Sequence, residues 1–107
     1  MKPALYVVSL ELAPDSEQPW FEWMRDHHIA EVLREPGFLR CRLWKDTTQA
    51  QDGWVRYVAQ YELTGPDAVE RYVSGEAAKR LRADALARFG SGMRATRAVL
   101  TEVASFG

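Results

Sequence analysis

The sequence predicts one α+β domain in strand–helix–strand–strand–helix–strand order, with a four-stranded antiparallel sheet carrying two helices on one face. Three observations predict it. Runs rich in β-branched and aromatic residues, part of them alternating, occupy Ala4 to Leu12, Phe38 to Asp46, Trp54 to Leu63 and Met93 to Val103. Two segments of helical periodicity lie between the first and second of these and between the third and fourth. A chain of 107 residues has room for one core only, so residues 1–107 are read as a single domain.

Ala4 to Leu12 is apolar at most positions, which suits a strand with both faces partly buried. Ala13-Pro14-Asp15-Ser16 turns the chain, and Asp15 or Ser16 is the expected helix cap. Pro19 falls in the first turn, where its missing N–H costs nothing. The helix runs to Arg34 and stops at Glu35-Pro36-Gly37. The strand from Phe38 and the strand from Trp54 form a hairpin across the polar loop Thr47 to Gly53. Thr64, with Asp67 three residues on, has the spacing of a capping box for the second helix. Gly75 interrupts that helix, and Gly90 ends it as a left-handed cap.

In this order, right-handed crossovers give the ferredoxin-like arrangement. Two helices cover one side of such a sheet and leave the other bare. The helix-side positions are expected to be Tyr6, Val8, Leu10, Leu39, Cys41, Leu43, Val55, Tyr57, Ala59, Tyr61, Ala98 and Leu100. The bare side then holds Leu5, Val7, Phe38, Trp44, Trp54, Val58, Met93 and Val99, among Arg40, Arg42, Arg56, Gln60, Glu62 and Arg97. So much apolar surface calls for a second copy of the sheet, and the expected assembly is a homodimeric α/β barrel. A strand register shifted by one residue would exchange the two sets.

Composition excludes several classes. A net charge of −1 offers no field to gather nucleic acid or an anionic membrane. The third strand also lacks the basic–glycine–aromatic signature of an RNA-recognition module. No apolar run approaches the roughly 20 residues of a membrane span, and the first strand has no cleavage site behind it, so the cytoplasm is the expected location. The lone Cys41 forms no internal disulfide, zinc-ligand spacing is absent, and no metal or cofactor is expected.

One constellation could carry chemistry. At about 100° per residue, Trp20, Phe21, Met24, His28 and Val32 share one stripe of the first helix. His28 thus faces the sheet near Tyr6, Cys41, Tyr57 and Tyr61, while His27 lies beside Trp20 and Trp23 towards the surface. An imidazole in an apolar cleft with phenols around it can anchor a ligand or move a proton. The plainer reading, which the residues alone favour, is a core imidazole that hydrogen-bonds a tyrosine hydroxyl or a backbone carbonyl. The candidate catalytic residue is His28, and the candidate ligand contacts are Tyr6, Met24, Tyr57 and Tyr61. Lys79-Arg80-Leu81-Arg82 reads as a solvated helix face, and Cys41 as an inert small hydrophobe.

The pattern Trp20-Phe21-x-Trp23-Met24-x-x-x-His28-Ile29-x-x-Val32-Leu33 with Pro36-Gly37-Phe38 resembles the first helix and second strand of dimeric α/β-barrel proteins. Tyr57-Val58-Ala59-Gln60-Tyr61-Glu62 and Arg88-Phe89-Gly90 are similar to segments of an uncharacterised bacterial group within them. That superfamily includes antibiotic-biosynthesis monooxygenases, muconolactone isomerases, EthD-like proteins and haem-degrading monooxygenases. The resemblance implies a homodimer, a ligand between sheet and helices, and His28 as the cleft residue. It implies a cofactor-independent monooxygenase-like or isomerase-like enzyme, or a binder, for a small hydrophobic or aromatic molecule. The alternative is a non-catalytic structural or ligand-sensing module. Pro66 to Arg88 contains no histidine, so the haem-degraders' ligand position is empty, and fold kinship does not transfer chemistry.

Overall fold

The computed structural model describes residues 2–48 and 52–107, and the tip of the predicted 47–53 loop lies outside the described residues. Four nine-residue strands, β1 (Ala4–Leu12), β2 (Phe38–Asp46), β3 (Val55–Leu63) and β4 (Met93–Thr101), form one antiparallel sheet of order β2-β3-β1-β4. The helical segments are α1 (Glu17–Trp23), α2 (Ile29–Leu33), α3 (Pro66–Val73) and α4 (Glu76–Phe89). A π-helical turn, Met24–His28, joins α1 to α2. The central strands bury alternate residues: Ala4, Tyr6, Leu10 and Leu12 on β1, and Tyr57, Ala59, Tyr61 and Leu63 on β3. These side chains meet Trp20, Trp23, Met24, Val32, Val69, Leu81 and Ala85 from the helices in one core.

Pairing across the sheet fixes which residues share a face. The helix side carries the rows Cys41–Tyr61–Tyr6–Val99, Leu43–Ala59–Val8–Arg97 and Lys45–Tyr57–Leu10–Ala95. The outer side carries Arg40–Glu62–Leu5–Leu100, Arg42–Gln60–Val7–Ala98, Trp44–Val58–Ser9–Thr96 and Asp46–Arg56–Glu11–Arg94.

The expected faces hold for β1, β3 and most of β2 and fail elsewhere. On β4 the assignment is inverted: Met93, Arg97 and Val99 face the helices, while Ala98 and Leu100 face outwards. A register irregularity between Phe38 and Arg40 turns Phe38 into the core and leaves Leu39 more than half exposed. One residue of slip exchanges the two faces of a strand. β4 is an edge strand of small and basic residues, so its pattern constrains that register weakly.

The helix ends differ from expectation in detail. Pro14–Ser16 is a short 3₁₀ turn, and no side-chain cap forms from Asp15 or Ser16. Gly65, not Thr64, caps α3, with Pro66 following at the first helical position. The break at Gly75 and the positive φ of Gly90 are as expected. Trp54 precedes β3, and β4 stops at Thr101. Gly37 turns the chain from α2 into β2 at φ 88°, and a Cβ there would sit 2.6 Å from the Cβ of Ala68. Only glycine allows that approach.

Candidate functional site

Between the helix side of the sheet and the helices lies a cavity of about 50 Å³. β1 and β3 supply Tyr6, Val8, Leu10, Ala59 and Tyr61, the first helical stretch supplies Trp20, Trp23, Met24, His28 and Val32, and α3 and α4 supply Tyr72, Leu81, Arg82 and Ala85. Met93 and Arg97 of β4 complete the wall. Aromatic packing holds the frame: Tyr72 meets Tyr6 edge-on at 5.7 Å and Phe38 at 4.9 Å.

The π-helical turn sets the position of His28. In a regular α-helix, residues five apart point about 140° away from each other. Winding with i→i+5 bonds turns less per residue and brings them nearer one face, and the His28 ring stacks on Trp23 at 4.3 Å with planes 24° apart. The sequence expectation paired Trp23 with His27; the structure pairs it with His28 and leaves His27 exposed.

Two of the side chains lining the cavity carry a buried polar atom with no hydrogen-bond partner: His28 Nδ1 and Trp20 Nε1. The indole N–H donates only, and a neutral imidazole nitrogen donates or accepts according to tautomer. Burial pushes His28 down to about 4, against a weaker upward pull from the carboxylates of Glu31 and Asp84. His28 is therefore neutral at pH 7. Burial raises Tyr61 well above the ordinary phenol value and takes Tyr72 to about 12, so both are neutral donors.

Four of the five expected site residues, His28, Tyr6, Met24 and Tyr61, line the cavity together. Tyr57 does not. Its ring lies against Trp20 at 4.8 Å, and its hydroxyl donates to Glu17 Oε2 at 2.8 Å. Burial and that carboxylate push Tyr57 up to about 12. Lys45 also donates to Glu17 Oε2 at 2.8 Å and, with the Tyr57 hydrogen bond, holds the Glu17 carboxyl below its usual range. Cys41 is half-buried and pushed up to about 11 by burial, which makes its thiol a poor nucleophile.

Sequence reasoning missed Tyr72, Arg82 and Arg97. Arg97 went to the wrong face with the rest of β4, and Arg82 was read as part of a solvated helix face. The spacing Val69, Tyr72, then Leu81 and Ala85 marks the buried side of α3 and α4 and would have located Tyr72. Among the described residues, no cluster of three or more His, Cys, Asp or Glu side chains could hold a metal ion.

A β2-β3-β1-β4 antiparallel sheet beneath helices, with a cavity between the two layers, defines a ferredoxin-like protein. The chain belongs to the family described as "Domain of unknown function (DUF4286)", whose model matches residues 3–103. No curated protein matches it. Among solved structures it is similar to a dimeric ferredoxin-like protein from an uncultured marine organism, with 8% identity over 99% of this chain and 100% of that one and a TM-score of 0.75. It is also similar to a variant of SnoaB, a cofactor-independent oxygenase from Streptomyces nogalater (21% identity, 98% of this chain, 97% of that one, TM-score 0.68). A third is an EthD family protein from Bacillus halodurans (14% identity, 94% of this chain, 99% of that one, TM-score 0.68).

Proposed function

We propose that this chain is a small-molecule-binding subunit of a homodimer, with one hydrophobic ligand held between sheet and helices in each subunit. The observation that carries the reading is the pair of unpartnered polar atoms, His28 Nδ1 and Trp20 Nε1, on side chains lining an otherwise largely apolar cavity. Buried polar groups are normally satisfied, so a guest with hydrogen-bonding atoms of its own is the natural complement. Tyr6, Met24 and Tyr61 pack its apolar body, and Tyr57 contributes from behind Trp20 by fixing Glu17.

Size sets how the ligand enters. A volume of 50 Å³ is well under the cavity of about 150 Å³ that a benzene-sized guest occupies. A ring-sized ligand must displace a side chain or enter partway. Met24 and Met93, each with three rotatable bonds, are wall elements that yield readily.

In this reading His28 meets the ligand as a hydrogen-bonding imidazole. An oxygenase of the SnoaB kind is the second reading, supported by that structural likeness. Its demand on His28 is steep. From about 4, deprotonating a phenol of pKa about 10 runs about six units, or about 8 kcal/mol, uphill. The energetics favour binding over base catalysis unless the ligand itself raises the imidazole's proton affinity.

The dimer reading rests on the outer face. Leu5, Val7, Val58, Trp44, Ala98 and Leu100 form its apolar middle, with Trp44 and Leu100 about half exposed. Arg40–Glu62 at one end and Arg56 and Arg94 with Glu11 at the other frame that band with charge. The likeness to a protein described as dimeric supports the same conclusion. No helix among the described residues is long and apolar enough to cross a membrane, and a lone reduced cysteine suits the cytosol.

Native mass spectrometry of the purified protein and of Trp44→Glu tests both halves. The expected result is a wild-type dimer that retains small-molecule mass and a monomeric variant. A wild-type monomer at micromolar concentration would refute the dimer. If a panel of small hydrophobic compounds moves neither the Trp20 indole nor the His28 ring signals in NMR, the cleft reading fails.

A further inference from the structure

We propose that the ligand is an organic acid, its apolar end in the cavity and its carboxylate held at the mouth by Arg82 and Arg97. The proposal rests on the cleft reading above and adds the charge of the ligand.

Arg97 occupies a helix-side position on β4, directly across from Val8, in a row that continues through Ala59 and Leu43. Arg97 is exposed there, so its guanidinium reaches solvent at the rim of the cavity. Among the described residues, Arg97 and Arg82 lie outside ion-pair distance of any acid, as do Arg34, Arg42 and Arg71, but only the first two line the cavity. Arg82 is steadied instead by the backbone: its Nη2 donates to the carbonyl of Val73 at the end of α3, at 3.1 Å. Both arginines line the cavity and both are exposed, which puts them at its open end.

Arg82 and Arg97 each act electrostatically on the hydroxyl of Tyr72, in the sense opposite to Tyr6 and Glu35. Not one Asp or Glu is among the residues lining the cavity. A carboxylate at this mouth would meet two guanidinium forks and the Tyr72 hydroxyl, all donors, and no like charge in the wall. The small volume fits the same picture, because a ligand that enters partway leaves its polar end where the arginines stand.

The test compares carboxylic acids with their neutral amides: isovalerate, benzoate and indole-3-acetate against isovaleramide, benzamide and indole-3-acetamide. Calorimetry on the full chain reads affinity, and the His28 and Trp20 NMR signals report entry into the cavity. At least one acid should bind about tenfold or more tighter than its amide, as charge-assisted pairing implies. In the double variant Arg82→Gln/Arg97→Gln that preference should collapse to within about threefold. Both positions are exposed, and circular dichroism verifies that the variant folds.

Acids and amides binding equally well would overturn the proposal and leave the cleft reading intact. An acid preference that survives the double variant would overturn the role of these two arginines. Failure of acids and amides alike to shift the His28 or Trp20 signals would overturn both the proposal and the cleft reading beneath it.

Discussion

Acid should unfold this protein through His28, and the size of the effect follows from its burial. In the unfolded chain the imidazole takes a proton at its ordinary 6.5, whereas in the folded chain it stays neutral down to about 4. Between those values the unfolded state binds more protons, so stability falls as pH falls through the window. Above 6.5 both states are neutral and His28 contributes no pH dependence. The whole interval amounts to about 3 kcal/mol, of which about 2 kcal/mol is already lost at pH 5. The assay is urea unfolding of wild type and His28→Gln at pH 7.5, 6 and 5, at fixed protein concentration because a dimer's stability depends on it. The wild type should lose about 2 kcal/mol more than the variant between pH 7.5 and 5. Acid-sensitive carboxylates such as Glu17 are common to both proteins and cancel in the comparison. Parallel losses, or an NMR titration of His28 with its midpoint near 6.5, would refute the burial argument.

Two further substitutions test the frame around the site. Gly37→Ala combines a positive φ with a clash against Ala68 and should cost about 2–4 kcal/mol. Gly53→Ala shares the positive φ, meets nothing within 4 Å, and should cost about 1 kcal/mol. Equal losses in urea unfolding would show that the contact with Ala68 is not what constrains Gly37. Tyr57→Phe should cost about 1 kcal/mol through its lost hydrogen bond. It should also raise the Glu17 pKa only partway to normal, because Lys45 remains in place. An unchanged Glu17 titration by NMR would show that the Tyr57 hydroxyl does not contribute.

The parts of the fold legible in the sequence were those where burial leaves a periodic mark. β1 and β3 are central strands, and their alternation of Tyr6, Leu10, Tyr57, Ala59 and Tyr61 fixed face and register together. β4 lies at the edge and reads Met93-Arg94-Ala95-Thr96-Arg97-Ala98, so either face could have been the inner one. The register expected for that strand left Arg97 out of the cavity wall that it completes. The slip after Phe38 involves a single residue and leaves no mark in composition. On the helix, His28 was placed in the cleft by counting 100° steps, and the count survived because the stripe is wide. The π turn itself was invisible, since it consists of ordinary helix-forming residues. Tyr57 was drawn into the site because it shares a face with Tyr61; only coordinates separate two phenols on one strand by the partners they choose.

The π turn at Met24–His28 also bears on how this helix can vary by descent. A turn that spends one more residue than its neighbours behaves as a tolerated insertion, absorbed locally so that Trp20 and Val32 both keep their places in the core. Deleting any one of Arg25, Asp26 or His27, all exposed, would relax the segment to a regular helix. His28 would then stand four residues after Trp23 and keep its place beside that ring. Within this fold, single-residue length variation in the exposed part of the first helix is thus tolerated without disturbing either the core or the imidazole in the cleft.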